Sequence, residues 1–216
     1  MSLKANALCL LVTLKEHLDI PADDTSLDSK LNRLINVASQ FIENYCGRVL
    51  VEASYDEYHD GRAGNRLLLK QWPVTGGPAD NGSKPQVIVD AGGVFAIADA
   101  VDAANYWIAN DIELVRVGMW PKGYRNIKVC YTAGLGKINT IAETNTLPSD
   151  LEQACLDYVE WLHTMNTDRR IGRNTKTKGD ESVSFISDIP PHVAMILEKY
   201  VRHEFPSDAP VGVRNG

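Results

Sequence analysis

The sequence predicts an α+β protein in which an α-helical bundle, built from the N- and C-terminal segments, carries an inserted antiparallel β region. Three observations lead there. Apolar residues recur at three- and four-residue steps near both ends of the 216-residue chain. Between about Val51 and Thr132 the texture changes to short runs rich in valine, isoleucine and tyrosine, divided by glycine, proline and asparagine. A chain of this length buries one good core, or a core plus a smaller insert, but hardly two large domains. The expected division is a helical part over 1–50, the β insert over 51–140, and a second helical part over 141–205 containing a mobile loop at 166–187. A flexible tail is expected over 206–216.

Element by element, "TLKEHLDI" has capping-box spacing from Thr13 to Glu16 and predicts a short helix from about Leu14 to Leu18. In "PADDTSLDSKLNRLINVASQFIENYCGR", Leu27, Leu31, Leu34, Ile35, Ala38, Phe41, Ile42 and Tyr45 make one apolar face. Asp24, Thr25 or Ser26 is the expected cap of this long helix, and Gly47 its end. The phrases "SYDEYHDG", "NRLLLKQWPV", "PQVIVDAGG", "ANYWIAND", "IELVRVG" and "NIKVCYTAG" read as strands of an antiparallel sheet or small sandwich. Asn110 and Asp111 suit a hairpin, and "ADNGSKP" reads as a loop. Helical period returns at Leu151, Ala154, Cys155, Tyr158, Leu162 and Met165, behind a Ser149 to Glu152 capping-box pair. Pro190 and Pro191 stand where a last helix can start, with Val193, Ile196, Leu197, Tyr200 and Val201 as its buried stripe.

Composition narrows the function. Hydrophobic residues at 44% and charged residues at 23% are ordinary globular usage. A net charge of -6 and a pI near 5.4 argue against a surface built to neutralise phosphates. Cys9, Cys46, Cys130 and Cys155 form no C-x-x-C pair, so neither a zinc site nor a disulfide framework is expected, and reduced cytosolic cysteines are. The run "ALCLLVTL" is too short to span a bilayer, and no signal-peptide cleavage site follows it.

Asp56, Glu57, His59 and Asp60 in "YDEYHDGRAGN" are the densest set of candidate metal ligands or acid–base groups. In an extended strand, Asp56 and Tyr58 point away from Glu57 and His59, so the carboxylates do not converge, and a strand running into an Asp-Gly turn explains the set without chemistry. "AGLGK", from Ala133, lacks the spaced glycine and the Ser or Thr of a phosphate loop. No nucleophile elbow or metalloprotease spacing is present, so no catalytic residue, cofactor or metal is expected. The segment "DRRIGRNTKTKGD" concentrates Arg169, Arg170, Arg173, Lys176 and Lys178. It reads as a solvated loop, as an arm that docks on a protein, or as a contact to nucleic-acid phosphates, although it lacks interleaved aromatics and Asp168, Asp180 and Glu181 offset its charge.

Taken in order, "VTLKEHLDIPADDTSLDSKLNRLINVASQFIENYCGR", "YDEYHDG", "LLLKQWPV", "GMWPKGYRNIKVCYTAG", "LPSDLEQACLDYVEWLHTMNTDRRIGRNTKTKGDESVSF" and "DIPPHVAMILEKYVR" resemble the head-tail connector (adaptor, head completion) proteins of tailed bacteriophages and prophages. The similarity is one of order and texture over nearly the whole chain. It implies a structural, non-enzymatic subunit of a ring of about twelve copies. Such a ring docks on the portal protein, extends the DNA channel without sequence-specific binding, and offers a platform to a neck or tail-completion protein. It also implies a place in the virion neck, reached from the host cytoplasm during assembly, with no membrane contact. By the same resemblance the segments that meet the portal correspond to about 166–187 and 206–216, which puts Arg169, Arg170, Arg173, Lys176, Lys178, Val211 and Arg214 at the joint. Trp107, Trp120 and Tyr124 are candidate interface anchors, with local packing in the β region as the alternative. A DNA-binding packaging component and a hydrolase using Asp56 and Asp60 are the competing readings; the first wants a basic recognition helix, and neither long helix is basic enough.

Overall fold

The computed structural model describes residues 2–78, 84–167, 175–178, 181–184 and 189–202. It is α+β, with helices at both ends of the described chain and antiparallel sheets between. The first helix, α1, spans Leu11–His17 rather than Leu14 to Leu18. Its N-cap position is Leu10, with no side-chain cap, and Thr13 lies inside the helix. Burial outranks the capping signal here, because Leu8, Leu10 and Leu14 all face the core and draw the apolar run into the helix. Helix α2, Asp28–Cys46, buries Leu31, Leu34, Ile35, Ala38 and Ile42 as its spacing predicts, and ends at Gly47 with φ 65. That left-handed conformation lets the Gly47 and Arg48 amides turn back to the last carbonyls. The predicted side-chain cap is absent: the N-cap position is Leu27, and Asp24 Oδ1 instead accepts the Ser26 amide within the preceding turn.

That turn is held from below by Lys15, which is buried. Its Nζ donates to the carbonyls of Ala22 (3.2 Å) and Asp24 (2.8 Å) and lies 2.6 Å from Asp28 Oδ1. The ammonium thus satisfies its donors with loop carbonyls and fixes the passage from α1 to α2. Glu43, also buried, accepts the Asn6 side-chain amide and the Leu50 backbone amide. Helix α3, Ser149–Thr167, begins on the Pro148 carbonyl, and α4, Pro191–Leu197, follows Pro190 and runs into a 3-10 turn, Glu198–Tyr200. Residues of all four helices share one apolar cluster, including Leu14, Leu31, Ile35, Leu151, Val159, Val193 and Leu197.

The β region is organised by its longest strand. Strands β1 (Ala53–Gly61), β2 (Arg66–Leu68), β3 (Val74–Gly76), β4 (Gln86–Val89), β5 (Tyr106–Ala109), β6 (Glu113–Arg116) and β7 (Gly123–Ala133) form two sheets. β7 pairs with β1 on one side, from Ala53↔Ala133 to Gly61↔Gly123, and with β4 and β3 on the other. The order β2-β6-β5 makes the second sheet, in which the loop after β5 holds Asn110 and Asp111 at φ 52 and 59, the hairpin that the sequence predicts. Leu67, Tyr106 and Leu114 from this sheet meet Val87, Ile127, Val129 and Tyr131 from the other in a second apolar cluster. Two short strands, β8 (Ile138–Asn139) and β9 (Thr144–Asn145), complete the passage to α3.

Within the charged segment expected to be a mobile arm, β10 (Thr175–Lys178) and β11 (Glu181–Ser184) pair antiparallel. "TKTK" and "ESVS" alternate in polarity on either side of Gly179 and Asp180 in the sequence, a period-two pattern that the charge run masked. The rest of the arm, residues 79–83 of the predicted "ADNGSKP" loop, and the tail beyond Arg202 lie outside the described residues.

The two cores meet where α2 passes into β1. The Arg48 guanidinium, buried, stacks 4.0 Å over the Trp72 ring and donates to the Trp72 carbonyl. Burial pushes its pKa down. Leu135 N–H bonds the Leu50 carbonyl, and Glu52 N–H the Gly136 carbonyl, 2.7 Å. Gly134, at φ 146, is required here: a Cβ would sit 2.3 Å from Glu52 Cα. This closeness explains "AGLGK" as packing rather than phosphate binding.

Candidate partner-binding surface

The carboxylates of "YDEYHDG" are occupied by the fold. β1 places Glu57 and His59 on one side, as strand alternation predicts, with His59 Nε2 3.1 Å from Glu57 Oε2. Glu57 is buried and also accepts the Tyr131 hydroxyl at 2.5 Å and the Lys70 amide at 3.1 Å. Burial alone would raise its pKa, but the bonds from His59, Tyr131 and Lys70 reverse that and leave it lowered. Tyr131 in turn is pushed far up by burial and by its carboxylate partner. On the other side, Asp56 pairs with Lys128 at 2.9 Å, which lowers the acid and raises the amine. Asp60 Oδ1 accepts the Arg125 amide, 2.7 Å, and fixes that residue at φ 46. These groups hold strands and turns together. Among the described residues, no group of three or more His, Cys, Asp or Glu side chains could hold a metal ion.

The cysteines are free. Cys9 and Cys155, separate in sequence, come together in the helical core with sulfurs 3.7 Å apart, a proximity that no local motif announces. The bond to Cys155 and burial push the Cys9 thiol well up. Burial likewise raises Cys46 and Cys130 to about 11. Another long-range set joins three helices: His17 Nε2 of α1 stands 3.1 Å from Glu160 and 3.7 Å from Asp157 of α3, and His192 of α4 lies 3.4 Å from the other Asp157 oxygen.

The predicted partner residues are distributed unevenly. Arg169, Arg170, Arg173, Val211 and Arg214 lie outside the described residues. Lys176 and Lys178 fall on β10, opposite Val183 and Glu181 in the ladder. Trp107, on β5, is half exposed, and Tyr124, at the start of β7, is 83% exposed; both keep the surface an anchor needs. Trp120 does not. It is 1% exposed inside the β cluster, so its area is already buried and the local-packing alternative holds for it.

Sequence reasoning missed a second set of exposed apolar side chains. Val94 (81%) and Ile97 (68%) project from the loop after β4, and Met195 (72%) from α4. The loop is built by Asp90, whose carboxylate accepts the amides of Gly92 (2.6 Å), Val94 (2.7 Å) and Phe95 (2.9 Å) and is held below the usual carboxylate range by these bonds. Phe95 sits at φ 53 with its ring edge-on to Tyr58, 5.2 Å between centroids. Arg125 lies 5.1 Å over the opposite partner in this cluster, the Tyr58 ring. Only Asp90 with Gly92 and Gly93 two and three positions on hints at such a loop in sequence.

Comparison with known proteins gives the chain its family. The family pattern for the phage gp6-like head-tail connector protein matches residues 10–67, which cover α1, α2 and β1. This N-terminal stretch is thus similar to a phage head-tail connector protein. It belongs to the head completion protein family, whose pattern matches residues 94–203, just over half of its length. No curated protein matches it. Solved structures similar in fold include a chain from the neck of an empty GTA particle computed with C6 symmetry, with TM-score 0.61, 19% identity, and coverage of 97% of this chain and 98% of that one. A chain from the virion of the native gene transfer agent (GTA) particle follows at TM-score 0.60 and 18% identity, covering 97% of both. A third, from the neck of the native GTA particle computed with C12 symmetry, has TM-score 0.57 and 18% identity over 97% of both chains. The family match makes this chain a head completion protein, and the likeness to GTA neck proteins shows a shared fold.

Proposed function

We propose that the chain is a subunit of a ring, about twelve copies around, that docks on the portal, lengthens the DNA channel and presents a platform to the next neck or tail protein. The observation that carries this reading is the head completion match across 94–203, which runs through the β region, the charged segment and the last helices. The fold likeness over 97% of the chain to proteins of GTA necks computed with C12 and C6 symmetry supports the ring. In this reading the four helices with their common core act as the bundle that frames each subunit, and the β region between α2 and α3 reaches toward neighbours. The segment at 166–187 and the tail at 206–216 meet the portal, with Arg169, Arg170, Arg173, Lys176, Lys178, Val211 and Arg214 as contact residues. An acidic chain, net charge -6, suits a conduit, because a strongly basic lumen would hold DNA through counterion release. No catalytic step is assigned: Glu57, Asp56 and Asp60 are engaged in structural bonds.

Electron microscopy of the purified chain mixed with the portal ring of the same genome tests the reading, with a variant lacking residues 207–216 alongside. The expected result is axial density stacked on the portal, weakened by the truncation. No association at high protein concentration overturns it.

A further inference from the structure

A buried charge is stable when an opposite charge or a full set of hydrogen-bond partners answers it. Among the described residues the buried charged side chains are Lys15, Glu43, Arg48 and Glu57. Three of them are answered: Lys15 by Asp28 and two carbonyls, Glu43 by two amides, and Glu57 by His59, Tyr131 and Lys70. Arg48 is not. It is 8% exposed, its Nε is buried without an acceptor, and its one hydrogen bond goes to the Trp72 carbonyl, with the Trp72 ring 4.0 Å from Cζ.

The groups that act on this guanidinium electrostatically are Cys46, Tyr55 and Arg202. Burial pushes the Cys46 thiol up to about 11 and raises the Tyr55 hydroxyl as well, so both are neutral at pH 7. Arg202 adds a second positive charge. The fold itself puts it there: its amide donates to the Cys46 carbonyl at 2.7 Å, and its Cζ lies 5.9 Å from the same Trp72 ring. Arg202 is exposed, and neither arginine has an ion pair among the described residues. Two like charges thus converge on one indole, one beneath the surface and one on it. That arrangement is unfavourable until an anion joins them.

We infer that Arg48, Trp72 and Arg202 form a receptor for a carboxylate on an acidic protein side chain. A guanidinium takes a planar two-oxygen group edge on, in a bidentate fork, and the indole face supplies an apolar wall beside it. Duplex phosphates are met instead by cations that stand out from a surface, whereas the principal cation here is more than nine-tenths buried and open only to a group on a flexible side chain. Two sources carry the same chemistry: the tail that follows Arg202, with Glu204 and Asp208, and a separate protein partner. Because Arg48 follows α2 and Trp72 belongs to the β region, a carboxylate held between them clamps the two cores. The inference stands independently of the ring reading.

The test follows the arginine Nε–Hε resonances of the full-length, 15N-labelled protein at neutral pH, assigned through their own backbone amides. Sodium acetate is added against sodium chloride of equal ionic strength. Expected is a saturable downfield shift of Arg48 with acetate and none with chloride, with affinity weakened several-fold in Arg202→Gln. A second full-length variant, Glu204→Gln with Asp208→Asn, separates the sources. If the tail fills the site, the wild-type resonance stands downfield from the start, and only this variant moves back and responds to acetate. If a partner supplies the carboxylate, the variant and the wild type titrate alike. An Arg48 resonance that stays in place in both proteins, or that follows ionic strength whatever the anion, overturns the inference. So does one that follows inorganic phosphate and ignores acetate.

Discussion

The helical core and the β core are held by different physics. In the helices, apolar side chains three and four apart form each buried face, and buried polar groups tie the adjoining segments down: Lys15 reaches Ala22 and Asp24, Glu43 reaches Leu50 and Asn6, and Asn36 and Ser39 hold the backbone at Ser2, Lys4 and Leu8. In the β region, β1 finds its partner across most of the insert, with Ala53 opposite Ala133, and the buried carboxylate Glu57 joins strands through Tyr131. The contrast teaches that the helices of one half are specified one by one by local signals while the strands of the other are specified only by their pairing; the closing of both cores joins segments of long sequence separation and costs the corresponding loop entropy.

Three measurements sharpen or break this comparison. The largest effect is expected from emptying each core in turn. Leu31→Ala in the helices and Ile127→Ala in the β sheets remove fully buried side chains and should each cost about 2–5 kcal/mol in urea unfolding. Both should lower one shared transition, because Arg48 on Trp72 and the Leu50–Leu135 and Glu52–Gly136 bonds tie the cores together. Two separate transitions would show instead that the cores fold as independent units.

Next comes the junction. Gly134→Ala adds a Cβ that would stand 2.3 Å from Glu52 Cα at a φ that L residues rarely adopt, and should cost about 3 kcal/mol. If the two strands of chain part without penalty, the variant will unfold like the wild type and the joint is not tight.

The smallest is Glu57→Gln, about 1–3 kcal/mol at neutral pH for a buried bond to a charged acceptor. Because the folded pKa of Glu57 is lowered, its contribution is complete above the ordinary value of 4.5 and is lost as the pH falls through the lowered one. Acid titration of stability should therefore be flatter below pH 4.5 in the variant than in the wild type. Equal slopes would remove Glu57 as the charge that secures the β core.

The limits of legibility follow the same division. The face of α2, its Gly47 end, the Pro190 start of α4 and the Asn110–Asp111 turn were all readable, because each is decided within a few residues. The Thr13 cap was read wrongly because burial of Leu10 and Leu14 acts from outside the local pattern. At the candidate surface, Tyr124 and Trp107 could be named as aromatics, but nothing local told them from Trp120, which packs between sheets.

By itself the sequence determined the α+β class, the places of the long helices and of most strands, the non-convergence of Asp56 and Glu57, and the likeness to phage connectors. Those depend on periodicity, turn chemistry and element order, which are local properties. Only the tertiary structure decided that Trp120 is buried while Tyr124 is bare, that Cys9 meets Cys155, that Glu57 locks the β core, and that Asp90 stiffens a projecting apolar loop. Each of these depends on which distant segment comes to lie alongside, and exposure and pairing are set by that partner.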